Sequence, residues 1–268
     1  MGDQGAADRI VEFVGDWQGQ VVATSVHAGH DVRPDLADLM VLDEAERYRE
    51  EDPHTDRIAA VVPDRVVTHR SRFECDLNRP RREAVYRTPD DCWGLKVWRD
   101  AELPDAQFEG SLATYDAFYD ALGERLDRVA ERGPFVLLDV HSYNHRRDGA
   151  QAPPAPVADN PEVNVGTGSV DHDLFEPLVA RFLSDLRAGD LAAGPVDARE
   201  NVAFEGRNIA WFVHDRYPRL GCVLALEFKK TFMDEWTGDV DETALERARL
   251  ALAAALPGLA EELGRLDG

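Results

Sequence analysis

Four short runs rich in valine and leucine constrain this chain more than any other feature. They are "QVVATSV" (Gln20 to Val26), "DRVVTHRSRF" (Asp64 to Phe73), "PFVLLDV" (Pro134 to Val140) and "GCVLALEF" (Gly221 to Phe228). Runs this short and this apolar read as strands buried on both faces, and flanking turn residues bound them. Between them, "LATYDAFYDALGERLDRVAERG" and "DHDLFEPLVARFLSDLRAG" place apolar residues at helical spacing and end in glycine. The tail "ETALERARLALAAALPGLAEELGRL" reads as another amphipathic helix or a pair of helices. Buried strands alternating with helices predict an α/β fold: a mainly parallel, mixed central sheet covered on both faces. The expected architecture is one three-layer α/β/α domain spanning residues 1–268, a length sufficient for one substantial core. No internal repeat is visible. The proline-rich "GAQAPPAPVADNPEVNVGTG" (Gly149 to Gly168) reads as a surface loop inside that domain.

Composition narrows the function classes. A formal net charge of -22 disfavours nucleic acid and anionic membrane surfaces, whose phosphates such a chain repels. No apolar run approaches membrane-span length, and "MGDQGAADRIVEF" lacks a basic-then-apolar signal pattern, so a cytoplasmic location is expected. Cys75, Cys92 and Cys222 have no metal-binding spacing and read as reduced, buried thiols. The only lysines are Lys96, Lys229 and Lys230, a bias set by genome composition or by a salty habitat.

In an open parallel sheet, ligands bind at the carboxyl ends of the strands, so the residues following each run matter most. His27 follows the first run and His141 the third, while Glu227 interrupts the last where an apolar residue belongs. A carboxylate in so apolar a strand is costly unless it is paired or close to a metal. Two histidines at matching exits and a carboxylate point to one shared metal site. His30, His69, His145, His172 and His214 lack that placement. A third ligand is expected from "REEDPHTDRIAAVV": Asp52 either ligates or caps a helix starting at Pro53, with Glu51 and His54 as alternatives. Asp139 shares a strand face with His141 and either orients a ligand or forms a salt bridge. In "SRFECDLNRPRREAVYR", Arg72, Asn78 and Arg79 offer forks and an amide suited to a carboxylate, whereas Arg81, Arg82 and Arg87 read as surface ion-pair partners. Ser142 beside His141 faces the other way and is no nucleophile pair. There is no nucleophile elbow, phosphate loop or dinucleotide fingerprint, and "VNVGTGSVDHD" reads as a loop with no strand before it.

Together "SVHAG", "SRFECDLNRP", "LLDVHS" and "LALEF", in that order, resemble the N-formylglutamate amidohydrolase family over most of the chain, from about Ser25 to Trp236. That family is itself similar to the zinc carboxypeptidases, which implies a phosphorylase/hydrolase-like fold. The resemblance implies a cytoplasmic zinc (Zn2+) enzyme whose partner is a small N-acyl amino acid, with no nucleic acid and no membrane. It implies His27 and His141 as metal ligands and Glu227 as the base, with the remaining ligand expected from "EEDPHTD", where Asp52 is the first candidate beside Glu51 and His54. Asn78 and Arg79 would hold the substrate carboxylate, and Arg72 would be a second anchor or oxyanion stabiliser. The carboxypeptidase His-x-x-Glu spacing is missing, since His30 occupies the glutamate position. Residues 82–110, with Trp93 and Trp98, fit the family poorly. The alternatives are a peptidase or deacylase of another carboxylate-bearing substrate, and an inactive binding protein on the same fold.

Overall fold

The computed structural model describes residues 10–100, 103–189 and 194–266; the acidic start read for signal patterns, residues 1–9, lies outside them. Seven strands form one mixed sheet: β1 (Val11–Val14), β2 (Val21–Ser25), β3 (Asp64–Thr68), β4 (Phe135–Tyr143), β5 (Val163–Gly166), β6 (Ala198–Glu200) and β7 (Gly221–Lys229). Their order is β1-β3-β2-β4-β7-β5-β6. The four apolar runs are its central strands, β3, β2, β4 and β7, all parallel. β1 joins β3 antiparallel at one margin. At the other, β5 joins β7 antiparallel and β6 lies parallel to β5.

Two expectations are corrected here. β3 ends at Thr68, so "SRF" belongs to the following loop. The segment read as a loop with no strand contains β5, four fully buried residues that its proline-rich approach concealed.

The helices are α1 (Pro34–Ala37), α2 (Glu44–Glu50), α3 (Thr55–Ala59), α4 (Asp105–Ala130), α5 (His172–Arg187), α6 (Asn208–Arg216) and α7 (Glu242–Leu266). The tail is thus one continuous helix despite Pro257. Period-two alternation divides the core into two layers. Val136, Leu138 and Val140 of β4, with Cys222, Leu224, Leu226 and Phe228 of β7, pack against α3, α5 and α7. Phe135 and Leu137, with Val223, pack against α4 and α6. Each such buried side chain contributes about 1.5–3 kcal/mol. A third cluster built on Leu36, Phe73, Tyr86 and Trp98 consolidates the chain from Phe73 to Trp98. Cys75, Cys92 and Cys222 are free and buried. Among the described residues no helix is long and apolar enough to cross a membrane.

Candidate active site

On the α4/α6 side, the inward residues turn polar as the strands approach their carboxyl ends. β4 passes from Leu137 to Asp139 and His141, and β7 from Val223 and Ala225 to Glu227. His141 and Glu227 are direct partners across the β4–β7 ladder. Thr24 of β2 donates to Asp139 at 2.7 Å, so the polar patch extends over three strands.

His27 lies two residues past β2 in a loop pressed against the exit of β3. A Cβ on Gly29 would fall 2.3 Å from the His69 carbonyl carbon, so only glycine permits this approach. The backbone N–H of Asp52 donates to the His27 carbonyl at 2.9 Å, which ties the two segments together. The Lys230 ammonium, buried just past β7, donates to the carbonyls of Arg49 and Glu51, each at 2.6 Å. Thr55 Oγ1 donates to the Asp52 carbonyl at 2.7 Å.

Of the three alternatives for a third ligand, Asp52 faces the histidines. Its Oδ2 lies 3.3 Å from His27 Nδ1 and 3.0 Å from His141 Nδ1. Glu51 is turned toward His30, at 2.6 Å, and accepts from Ser71. His54 approaches Tyr48 Oη at 3.3 Å. The capping role considered for Asp52 is absent: α3 begins at Thr55, behind His54 in the left-handed conformation, and Pro53 stays outside the helix. One atom each from His27, Asp52 and His141 lies within 4.8 Å of the others, and all three residues are buried.

The far nitrogens of both imidazoles are held by carboxylates. His27 Nε2 lies 2.7 Å from Asp76, and His141 Nε2 lies 3.0 Å from Asp139. Each ring is thus held at Nε2 by a carboxylate and turns its Nδ1 toward Asp52, the arrangement that orients metal-ligating histidines. Two imidazole nitrogens and a carboxylate oxygen fit a divalent metal of the zinc type.

Asp76 was not singled out in the sequence. It accepts from Arg72 at 2.7 Å, from the Asn78 N–H at 2.9 Å and from Tyr86 Oη, besides facing His27. Burial alone would raise its carboxyl, but Arg72 and His27 hold it well below the usual range. Asp52 is likewise held low, against burial, by its bonds to His141 and His27. Burial opposes a charge on His141, but Asp139 and Asp52 outweigh that and push its pKa well up. Burial pushes Glu227 up to about 8; His141 opposes the rise while Asp52 and Asp139 add to it.

The arginines form the opposite wall. Arg72 stacks on Trp93 at 4.9 Å while paired with Asp76. Arg79 lies 3.5 Å from Asp76, stacks on Tyr86 at 4.9 Å, and leaves its buried Nε without a hydrogen bond. Asn78 is turned inward: its amide nitrogen lies 3.3 Å from Asp139 and 3.0 Å from His141 Nε2, and its oxygen accepts from the Ile209 N–H. Both ends of that amide are engaged within the protein, so it braces Asp139, which in turn holds His141. These groups line a cavity of about 140 Å³ that also receives Ser142, Asn144, Arg147 and Arg207. Arg147 and Arg207 escaped the sequence reading because neither follows a strand directly. Trp93 and Tyr86, from the segment that fitted the family poorly, roof the arginines.

The sequence pattern of N-formylglutamate amidohydrolase matches residues 19–233. The fold is similar to the crystal structure of an N-formylglutamate amidohydrolase from Ralstonia eutropha JMP134. That overlay has a TM-score of 0.74 at 18% identity, covering 95% of this chain and 98% of the other. It is also similar to a gene product from Agrobacterium tumefaciens, with a TM-score of 0.67 at 15% identity over 96% and 97% of the two chains. No curated protein sequence matches the chain.

Proposed function

The chain belongs to the N-formylglutamate amidohydrolase family and is a hydrolase of an amide carbon–nitrogen bond. From that premise we propose that it cleaves the amide of an N-acyl amino acid such as N-formylglutamate, with zinc held by His27, Asp52 and His141. The observation that carries this reading is the convergence of two carboxylate-braced histidines on Asp52, with Glu227 directly opposite His141.

Zinc bound by those side chains would lower the pKa of a water toward about 7 and polarise the amide carbonyl. Glu227 removes a proton from the attacking water and returns it to the departing nitrogen as the carbon–nitrogen bond breaks. A pKa lifted by burial suits a group that both accepts and releases a proton near neutrality. Arg72, held by Asp76 and Trp93, directs its charge at the oxyanion that develops on the carbonyl. The open face of Arg79 holds the carboxylate next to the scissile amide, which fixes the carbonyl over the cluster. Asp76 and Asp139 hold the two imidazoles by Nε2, and Asn78 braces Asp139. The retention of the whole set in one pocket favours a working enzyme over an inactive binding protein.

The test is metal content and turnover of protein purified without chelator or affinity tag. About one equivalent of zinc is expected, with release of formate and glutamate from N-formylglutamate that stops on chelation and returns with zinc. Less than about a tenth of an equivalent of any transition metal would overturn the reading, given how tightly such sites hold their ion.

A further inference from the structure

The turn that carries Asn78 and Arg79 is held from behind by side chains of α4 and α6 that the chemistry above does not use. Tyr115 and Tyr119 lie four residues apart on one face of α4, with ring centroids 4.6 Å apart. Tyr115 Oη donates to the Arg79 carbonyl at 3.0 Å, and Tyr119 Oη donates to the Leu77 carbonyl at 2.6 Å. Asn208, the first residue of α6, donates through Nδ2 to both phenol oxygens, at 2.8 Å and 2.7 Å. The next residue, Ile209, gives its N–H to Asn78 Oδ1 at 3.0 Å. Leu77, Asn78 and Arg79 are thus each anchored on the side away from the cavity.

The proton count leaves one arrangement. A carbonyl only accepts, so each phenol commits its single proton to the turn. Each phenol oxygen must then accept, and the Asn208 amide has two protons, one for each. Burial raises the pKa of both phenols, so both stay protonated near neutrality. Asn208 is only half-buried, and a groove of about 520 Å³ opens beside the network. Trimming Asn208 therefore admits water rather than emptying the core.

We propose that Asn208, Tyr115 and Tyr119 are positioning residues that set the Asn78–Arg79 turn, and with it the reach of the Arg79 guanidinium. This rests on the function proposed above, in which Arg79 holds the substrate carboxylate. Stacking on Tyr86 and the approach to Asp76 fix the Arg79 side chain, whereas the two phenols fix the backbone that carries it. The discriminating variant is N208D. It keeps the shape of Asn208, and an acidic residue at the start of a helix suits the helix dipole. A carboxylate has no proton to give, so both phenols turn to it and release the carbonyls of Leu77 and Arg79.

The experiment measures kcat and KM for N-formyl-L-glutamate with the zinc-loaded wild type, N208A, N208D, Y115F, Y119F and R79A. In N208A and N208D, KM is expected to rise about 10-fold with kcat within about twofold and zinc stoichiometry unchanged. Y115F and Y119F each free one carbonyl and should raise KM about 3-fold. In an R79A background N208D should add nothing, because a residue that acts through Arg79 has no effect once that side chain is gone. A wild-type KM in N208D, or a loss confined to kcat, would overturn the proposal. So would a KM increase that persists in full in the R79A background. If the wild type does not cleave the substrate, the proposed function fails, and deuterium exchange of residues 76–80 decides the positioning role separately. Faster exchange there in N208D than in the wild type, with α4 unchanged, supports it. Equal exchange removes it.

Discussion

The two faces of strand β4 carry opposite assignments within one run of nine buried residues. On the α5/α7 side, Val136, Leu138 and Val140 stay apolar toward the strand end, and Leu224, Leu226 and Phe228 of β7 do the same. On the α4/α6 side, Phe135 and Leu137 give way to Asp139 and His141, and Val223 gives way to Glu227. Burial is equal on both faces of β4; its consequence differs. The apolar face stabilises the sheet, and the other converts the rigidity of that sheet into fixed positions for groups that would otherwise be too costly to bury.

Substitutions on either face break this comparison in different ways. The largest expected effect is on turnover: Glu227→Gln should lower kcat about 10²–10⁴-fold while zinc stoichiometry and melting temperature hold. Metal loss in that variant would show that Glu227 acts as a ligand. Leu138→Ala, one residue from Asp139 but on the opposite face, should cost about 2–5 kcal/mol in denaturant unfolding. The activity per folded molecule should stay unchanged, and a matching drop in kcat would mean that the faces are not separable.

An intermediate effect concerns His214 of α6, whose Nε2 accepts the Val223 N–H of β7 at 3.0 Å and whose Nδ1 faces Ser169 Oγ at 2.8 Å. Burial depresses its pKa to about 4. Because the folded value lies below the unfolded one near 6.5, its contribution is complete above pH 6.5 and is lost as the pH falls toward 4. The loss amounts to roughly 2–3 kcal/mol. The stability gap between wild type and His214→Asn should therefore narrow between pH 7 and pH 4.5, and a constant gap would refute the assignment. The smallest effect expected is from Asp139→Asn, about 10–100-fold in zinc affinity by chelator competition, with the fold intact.

The central sheet was legible because its strands are buried on both sides and therefore spell out continuous apolar runs. The marginal strands were not. β1 is partly exposed, β6 has three residues of which two are charged, and β5 has four behind a proline-rich approach. His27 and His141 were visible because each directly follows an apolar run, and Glu227 because it interrupts one where an apolar residue belongs. Asp76 was not, since it lies in a loop with no period to violate. The requirement that a ligating histidine carry a partner on its second nitrogen was the available signal. Asp52 read either as a ligand or, because Pro53 follows it, as a helix cap, and its approach to both histidines separates the two.

The register of β4 against β7, from Phe135 opposite Gly221 to Tyr143 opposite Lys229, has a consequence for quality control in the cell. Shifting one strand by a single residue would separate His141 from Glu227 and also turn the Leu224–Leu226–Phe228 stripe away from its helices. A misaligned molecule is thus marked for proteolysis by the same error that disables it. Preparations that survive in solution should share one specific activity, and the concentration of competent sites should track the concentration of folded chain.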